Sequence, residues 1–339
     1  MSQFITTLII MVLLGVQSVH AVTFKMATLA PNGSGWMQEI EKAADDITRQ
    51  TDGRVKFKFY TGGIMGNAKS VLKKIRINQL QGGAFTGGEL DAIYPDLQIY
   101  SLPFLFRSYA EVDYVREKMD SLLREGMQQQ GMILLGTSDG GFAYIMSNTP
   151  VESIDELRNK KMWLPEGDLV IQTVFDTIGI APVPLSLADV YTGLQTGMID
   201  TIGSSTMGAV AFQWHTRVKY VSDIPLVYLT GNLVLDQKAF NQISEGDQAI
   251  VQKVMLETMD ALGKINRHNE DQARAALQKQ GLQFVSISKT EWQRSQEVAK
   301  QANEVLGKKG HFTDKMYKLL QSHLSTYRQQ HSSTADAKP

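Results

Sequence analysis

The turn "GSSTMG" at residues 203–208, followed by His215 in "FQWHTR", puts serine hydroxyls and an imidazole in one short segment. Such a pair does acyl-transfer chemistry when the serine sits on a G-x-S-x-G elbow and a third group orients the base. The elbow pattern is absent here and no orienting carboxylate can be assigned. A second candidate, "GGIMGNAKS" at 62–70, has the glycines of a phosphate-cradling loop, but that loop needs glycine directly before the lysine and this chain has Ala68. Its glycines read as a tight turn. His311, His323 and His331 are scattered without metal-ligand spacing. With no cysteine in the chain, thiolate metal sites, cysteine nucleophiles and disulfides are excluded. The expectation is a protein that is not an enzyme and carries no cofactor and no metal.

The chain has 339 residues, 43% of them hydrophobic, enough for a sizeable core and about two domains. Its 34 basic and 35 acidic residues nearly cancel, with no basic stripe to neutralise a phosphate backbone, so nucleic acid is not an expected partner. The apolar run "FITTLIIMVLLGV" and the following "QSVHA" read as a signal peptide over 1–21 cleaved after Ala21, although no lysine or arginine precedes the run. The run is too short to span a bilayer comfortably. An exported chain without cysteine suits a bacterial periplasm.

From Phe24 onward the pattern alternates strand and helix, which implies a sheet with helices packed on it. "TFKMATL" and "RVKFKFY" read as strands around a helix whose Trp36, Ile40, Ala44 and Ile47 share one face. Helices are expected at 67–80 and 109–128, with strands near 84–86 and at 132–137. After Gly140-Gly141 a second set begins with a separate strand at 142–147. It continues with a capping box at Ser153 and Glu156, a short strand at Trp163, helices at 168–178 and 187–196, and a strand at 198–202. Ser244 opens a periodic run through Ile250, Val254, Leu262 and Ile265 to Gly281, a helix of about 54 Å that should cross both domains. Two further helices, 289–306 and 313–329, precede a polar, disordered tail. The expected organisation is lobe 1 from 22–141 with about 229–265, lobe 2 from 142–228 with about 266–310, a C-terminal helix at 311–330 and the tail at 331–339.

Five segments carry a resemblance: "FKMATLAPNGSGW", "QTDGRVKFKFYTGGIMG", "IYSLPFLF", "VESIDELRNKKMWLP" and "LSLADVYTGLQTGMID". In their order and spacing over residues 24 to 310, the chain resembles the solute-binding subunit of a tripartite ATP-independent periplasmic (TRAP) transporter, the dicarboxylate-binding-protein family. That resemblance implies an α/β, two-lobed periplasmic binding protein fold with crossing strands and a long domain-spanning helix. It also implies a ligand cleft between the lobes and a TRAP membrane permease pair as partner. The binding protein itself is expected to be a monomer.

Where the family usually carries an Arg-Val-Pro segment whose arginine pairs with a ligand carboxylate, this chain has Trp163. A second frequent arginine falls on Ala143, and the family's Gly-Gln-Glu-Asn after "GMID" is replaced by Thr201, Ile202, Gly203 and Ser204. Charge-assisted hydrogen bonds contribute about 1.5–3 kcal/mol each, and an indole N–H carries no charge to replace them. The expected ligand is therefore small and neutral or hydrophobic, held by Trp163, Phe142, Ala143, Tyr144, Ser204 and Ser205 from lobe 2 and by Trp36, Phe85, Thr86 and Leu102 from lobe 1. Alternatives stay open. Trp163, Phe142 and Tyr144 are core residues in a plainer reading, with Arg107 or Arg217 meeting a carboxylate instead, and Ser204 and Ser205 cap the following helix. A carrier of hydrophobic cargo not coupled to uptake is the reading from a different functional class.

Overall fold

The computed structural model describes residues 21–331; residues 1–20, where nearly all of the expected signal peptide 1–21 falls, and 332–339, where nearly all of the expected tail falls, lie outside the described residues. In chain order, strand β1 (Val22–Ala27) leads to helix α1 (Gly35–Gln50), β2 (Val55–Tyr60), α2 (Ala68–Arg76), β3 (Gly82–Thr86) and α3 (Tyr109–Gln129). Next come β4 (Met132–Ser147), β5 (Trp163–Pro165), α4 (Leu169–Ile178), β6 (Val183–Leu185), α5 (Val190–Thr196), β7 (Thr201–Ser204), α6 (Thr206–Ala211), β8 (Tyr220–Ser222) and β9 (Val227–Asp236). The chain closes with α7 (Glu245–Lys279), β10 (Gln283–Val285), α8 (Lys289–Lys309) and α9 (Asp314–Gln330).

The strands form one sheet in the order β10-β8-β4-β9-β3-β1-β2, with β7 also on β4, and β5 and β6 form a separate parallel pair. Parallel pairing of β1 with β2 and β3 makes the body of lobe 1. Antiparallel pairing of β4 with β7 and β8 makes that of lobe 2. The strands expected at 132–137 and 142–147 are a single strand. It stays continuous because the surplus residues are absorbed in bulges between Leu134 and Gly136 and between Asp139 and Gly141. At Gly141 the backbone takes φ +83°, open to glycine at little cost. Thus β4 passes from one lobe to the other, antiparallel to β9 throughout.

Sequence patterns explain the helices. Met37, Ile40, Ala43, Ala44 and Ile47 are the buried stripe of α1. Ser153 accepts from Glu156 N, and Ser244 accepts from Asp247 N at the start of α7. Asp247 itself is taken by Arg54, which reaches it with two guanidinium nitrogens at 3.0 and 2.8 Å. Helix α7 is 35 residues long, and it approaches β4 so closely that a Cβ at Gly136 would lie 2.7 Å from the Met259 side chain. The helix expected at 67–80 ends at Arg76, where the chain turns through Asn78 at φ 58°. That expected at 187–196 is α-helical only from Val190.

Candidate functional site

The two lobes meet along a seam built from loops at strand ends. Lobe 1 contributes the turn after β2 and the turn after β3; lobe 2 contributes the turn between β5 and α4. Asn67 Nδ2 donates to Glu166 Oε2 across the seam at 3.0 Å. A Cβ on Gly88 would lie 3.1 Å from the Asp168 carboxylate, so glycine is what lets the lobes approach here. Against this seam lies a cavity of about 10 Å³, lined by Thr28, Leu29, Gly63, Met65, Phe85 and Glu89 among others. That is space for about one water.

Acceptors dominate the seam. Glu89 Oε2 accepts from Thr86 N at 2.8 Å and from Thr86 Oγ1 at 3.1 Å. Asp168 caps α4, accepting from Ile171 N at 3.0 Å. Desolvation, reinforced by the Asp168 charge, raises the Glu89 carboxyl above its ordinary range. Desolvation also pushes Asp168 up to about 6, with the charge of Asp91 adding to it. Gln98, buried beside Gly87, donates to Asp91, and its Oε1 has no hydrogen-bond partner. No lysine or arginine figures in the field at Glu89 or Asp168, and none lines the cavity.

The residues expected to form the site are dispersed. Phe85 lines the cavity, and Thr86 is exposed beside it, holding Glu89. Trp163 is 5% exposed, packs with Met146, Leu194, Ile199 and Ile202, stacks edge-on to Trp214 and donates its indole N–H to Leu185 O at 3.0 Å. Its environment is the lobe 2 core, and its one donor is used inside the protein. Phe142 and Tyr144 share a face of β4, as alternation requires, and that face looks toward α3 and α7. Phe142 meets the Tyr109 ring at 4.9 Å, and burial together with the Glu270 charge pushes Tyr144 up to about 12. Ala143 is buried on the opposite face. Ser204 Oγ donates to Ser205 O, and Ser205 caps α6 by accepting from Gly208 N. Leu102 is fully buried among Tyr100 and Phe106. Trp36 packs on the Phe24 and Met26 face of the sheet, away from Phe85.

The other chemistry considered is spent locally as well. His215 Nδ1 bonds the Ala209 carbonyl. Arg217 donates to Tyr191, and Arg107 is exposed. Among the described residues no group of three or more His, Asp or Glu side chains is arranged to hold a metal. Sequence reasoning passed over Glu89, Glu166 and Asp168, although "TGGEL" and "PEGD" signal each as an acid in a glycine turn at a strand end.

A sheet crossed by β4 and β9, a long helix over both lobes and a seam between strand ends define a recognisable class. The profile of the bacterial extracellular solute-binding protein family 7, DctP, matches residues 26–308. This chain belongs to that family. Family 7 proteins bind solutes, and the resemblance seen in the five sequence segments is borne out. Among curated relatives, the uncharacterised protein YiiZ of Salmonella typhimurium is 24% identical over 292 residues, covering 81% of this chain and 85% of its own. A TRAP periplasmic solute-binding protein of Xanthobacter autotrophicus, solved with β-D-galacturonate, superimposes with TM-score 0.82 at 18% identity, covering 89% of this chain and 99% of that one. Another from Desulfovibrio salexigens, solved with orotic acid, gives TM-score 0.81 at 18% identity, covering 90% and 99%. The two-lobed α/β architecture is therefore that of family 7. No helix among the described residues is long and apolar enough to cross a membrane.

Proposed function

We propose that this chain is the periplasmic capture subunit of a TRAP-type transporter, exported by a leader at 1–21, that closes as a monomer over one small non-acidic solute and presents it to a membrane permease pair. The lobes in this reading are 22–141 with about 229–265 and 142–228 with about 266–310. The observation that carries the ligand class is the composition of the seam. Leu29, Met65 and Phe85 supply nonpolar wall beside the Glu89 carboxylate, and the Asp168 carboxylate lies against Gly88 on the facing turn. A ligand carboxylate desolvated there would meet like charge and no guanidinium, an arrangement that costs several kcal/mol on the order of magnitude of an unpaired buried ion. Trp163 contributes indirectly, by anchoring β5 to β6 through Leu185 O.

A second reading, an acid ligand, is favoured by the galacturonate and orotic acid held in the two solved neighbours. Native mass spectrometry of the gently purified protein, followed by organic extraction, separates the two. We expect a neutral or basic molecule in one-to-one amount; a stoichiometric uronate or other carboxylate establishes the acid reading instead.

A further inference from the structure

Between Asp52 and Glu89 the chain carries seven basic residues and no acidic one: Arg54, Lys56, Lys58, Lys69, Lys73, Lys74 and Arg76. The near-zero charge of the whole chain, read above as leaving no basic stripe, conceals this run. Two of the seven are engaged inside the protein, Arg54 by Asp247 and Lys74 by the Met65 carbonyl at 2.9 Å. The other five are exposed, as is Lys25 of β1, and among the described residues none of these six is in an ion pair.

The fold gathers them on one side of lobe 1. Strands β1 and β2 pair in parallel with Thr23 opposite Lys56 and Lys25 opposite Lys58, so alternation sends the three lysines to one face of the sheet while Phe24, Met26 and Phe57 take the other. Helix α2 lies on the lysine face: its Val71 and Ile75 pack in one cluster with Ala27 and Tyr60, the next residues on that face after Lys25 and Lys58. Lys69, Lys73 and Arg76 share the outer side of α2. The turn after α2 then comes back to β1, where Gln81 N donates to Lys25 O at 2.9 Å and Gln81 Oε1 accepts from Lys25 N at 3.0 Å. That turn carries Ile77, which is 57% exposed.

We propose that this face of lobe 1 docks on an anionic phospholipid surface, with the six basic side chains over the headgroups and Ile77 at their boundary with the acyl chains. Protein interfaces favour arginine and deplete lysine, whereas Arg76 is the one arginine in the patch. A layer of headgroups attracts flexible ammonium groups without having to match each of them. Lysine on an edge strand also blocks pairing with other chains, and β2 is an edge strand. That accounts for Lys56 and Lys58, but not for Lys73 and Arg76 on a helix. The turn after α2 lies at the opposite end of β1 and β3 from the seam, so docking there leaves the seam clear. Such docking is independent of which solute the seam holds.

The test is flotation of the protein lacking the apolar leader at 1–21, which would itself enter lipid, with phosphatidylcholine vesicles that do or do not contain phosphatidylglycerol. Salt is set at about 0.01 M and about 1 M, where the screening length is about 30 Å and about 3 Å. The protein should float with the phosphatidylglycerol vesicles at low salt only. The triple variant Lys56→Gln, Lys58→Gln, Lys73→Gln should weaken this about 100-fold, since each basic residue near such a surface contributes about fivefold. A control that removes the same charge elsewhere, Lys238→Gln, Lys253→Gln, Lys300→Gln, should leave flotation nearly unchanged. All six substituted side chains are exposed, so both variants fold, as circular dichroism checks. No flotation at low salt, flotation that persists at high salt, or equal loss in the two variants overturns the lipid surface. Flotation only of vesicles that carry a reconstituted TRAP permease pair, lost in the first triple variant, replaces lipid with an acidic protein face.

Discussion

At the hinge, Asp139 is 1% exposed, yet it is bonded by Arg267 and by Gly141 N, and its carbonyl accepts from Asn266. Arg116 in the same region pairs with Asp120 and donates to Thr137 O, and Arg274 pairs with Asp223. At the seam, Glu89 and Asp168 are partly buried and neither has such a partner. Charge that holds the fold is neutralised within the chain, because a buried ion without a partner destabilises the folded state. Charge left without a counterion is tolerable only where the two halves separate and water returns. The contrast therefore marks Asp139 as structural and sets the seam acids apart as charges without a cationic partner.

The largest break in this contrast is expected from Asp139→Ala. It strands Arg267, which also bonds Asp113 and lies 4.5 Å over the Tyr109 ring, and should cost about 3–5 kcal/mol in chemical denaturation. Glu89→Ala, by contrast, should leave the ligand-free protein as stable or more stable. Equal losses in the two variants would erase the distinction.

Next in size is Trp163→Phe, which removes the indole donor to Leu185 O and part of the ring packed on Trp214. A loss of about 1–3 kcal/mol with solute affinity within a factor of about two is expected. Lost affinity at unchanged stability would return Trp163 to the site.

A smaller effect sharpens the seam side. Desolvation pushes Asp168 up to about 6 from an ordinary 3.8. A raised folded value means that its stabilising contribution is complete below about 4 and is lost as pH rises through about 6. After desolvation the Asp91 charge adds to that rise, with His311 beside Asp91. Relative to Asp168→Asn, the ligand-free wild type should therefore lose thermal stability between pH 4 and 7. A flat difference across that range would show that Asp168 is not desolvated at the seam. Smallest of all, Lys264→Ala breaks the solvent-exposed pair with Asp260 and should leave the chemical-denaturation midpoint unchanged within error.

Much of the scaffold is legible in the chain because its signals are local. Ser153, Ser244 and the apolar period of α7 each act within a few residues, and the helix they announce is there. Strand β4 was read as two because Gly140-Gly141 looks like a break. Whether glycines end a strand or bulge it depends on a partner, and β9 supplies one. The site was harder for a related reason. An aromatic in place of an arginine drew attention to Trp163, but the direction of a side chain on a three-residue strand is set by what lies beneath it, here Trp214 and Ile199. Asp168, five positions further along, looks like an ordinary helix cap until the turn after β3 is brought against it.

Local physics sufficed for the family, the alternation of elements, the capped helices and the absence of cysteine chemistry, since each depends on residue type and short spacing. Which charges would be neutralised and which left without a cationic partner depended on contacts between residues far apart in the chain, as Arg267 with Asp139 and Gly88 with Asp168. Electrostatic energy follows distance through space, and only the closing of one lobe on the other set that distance.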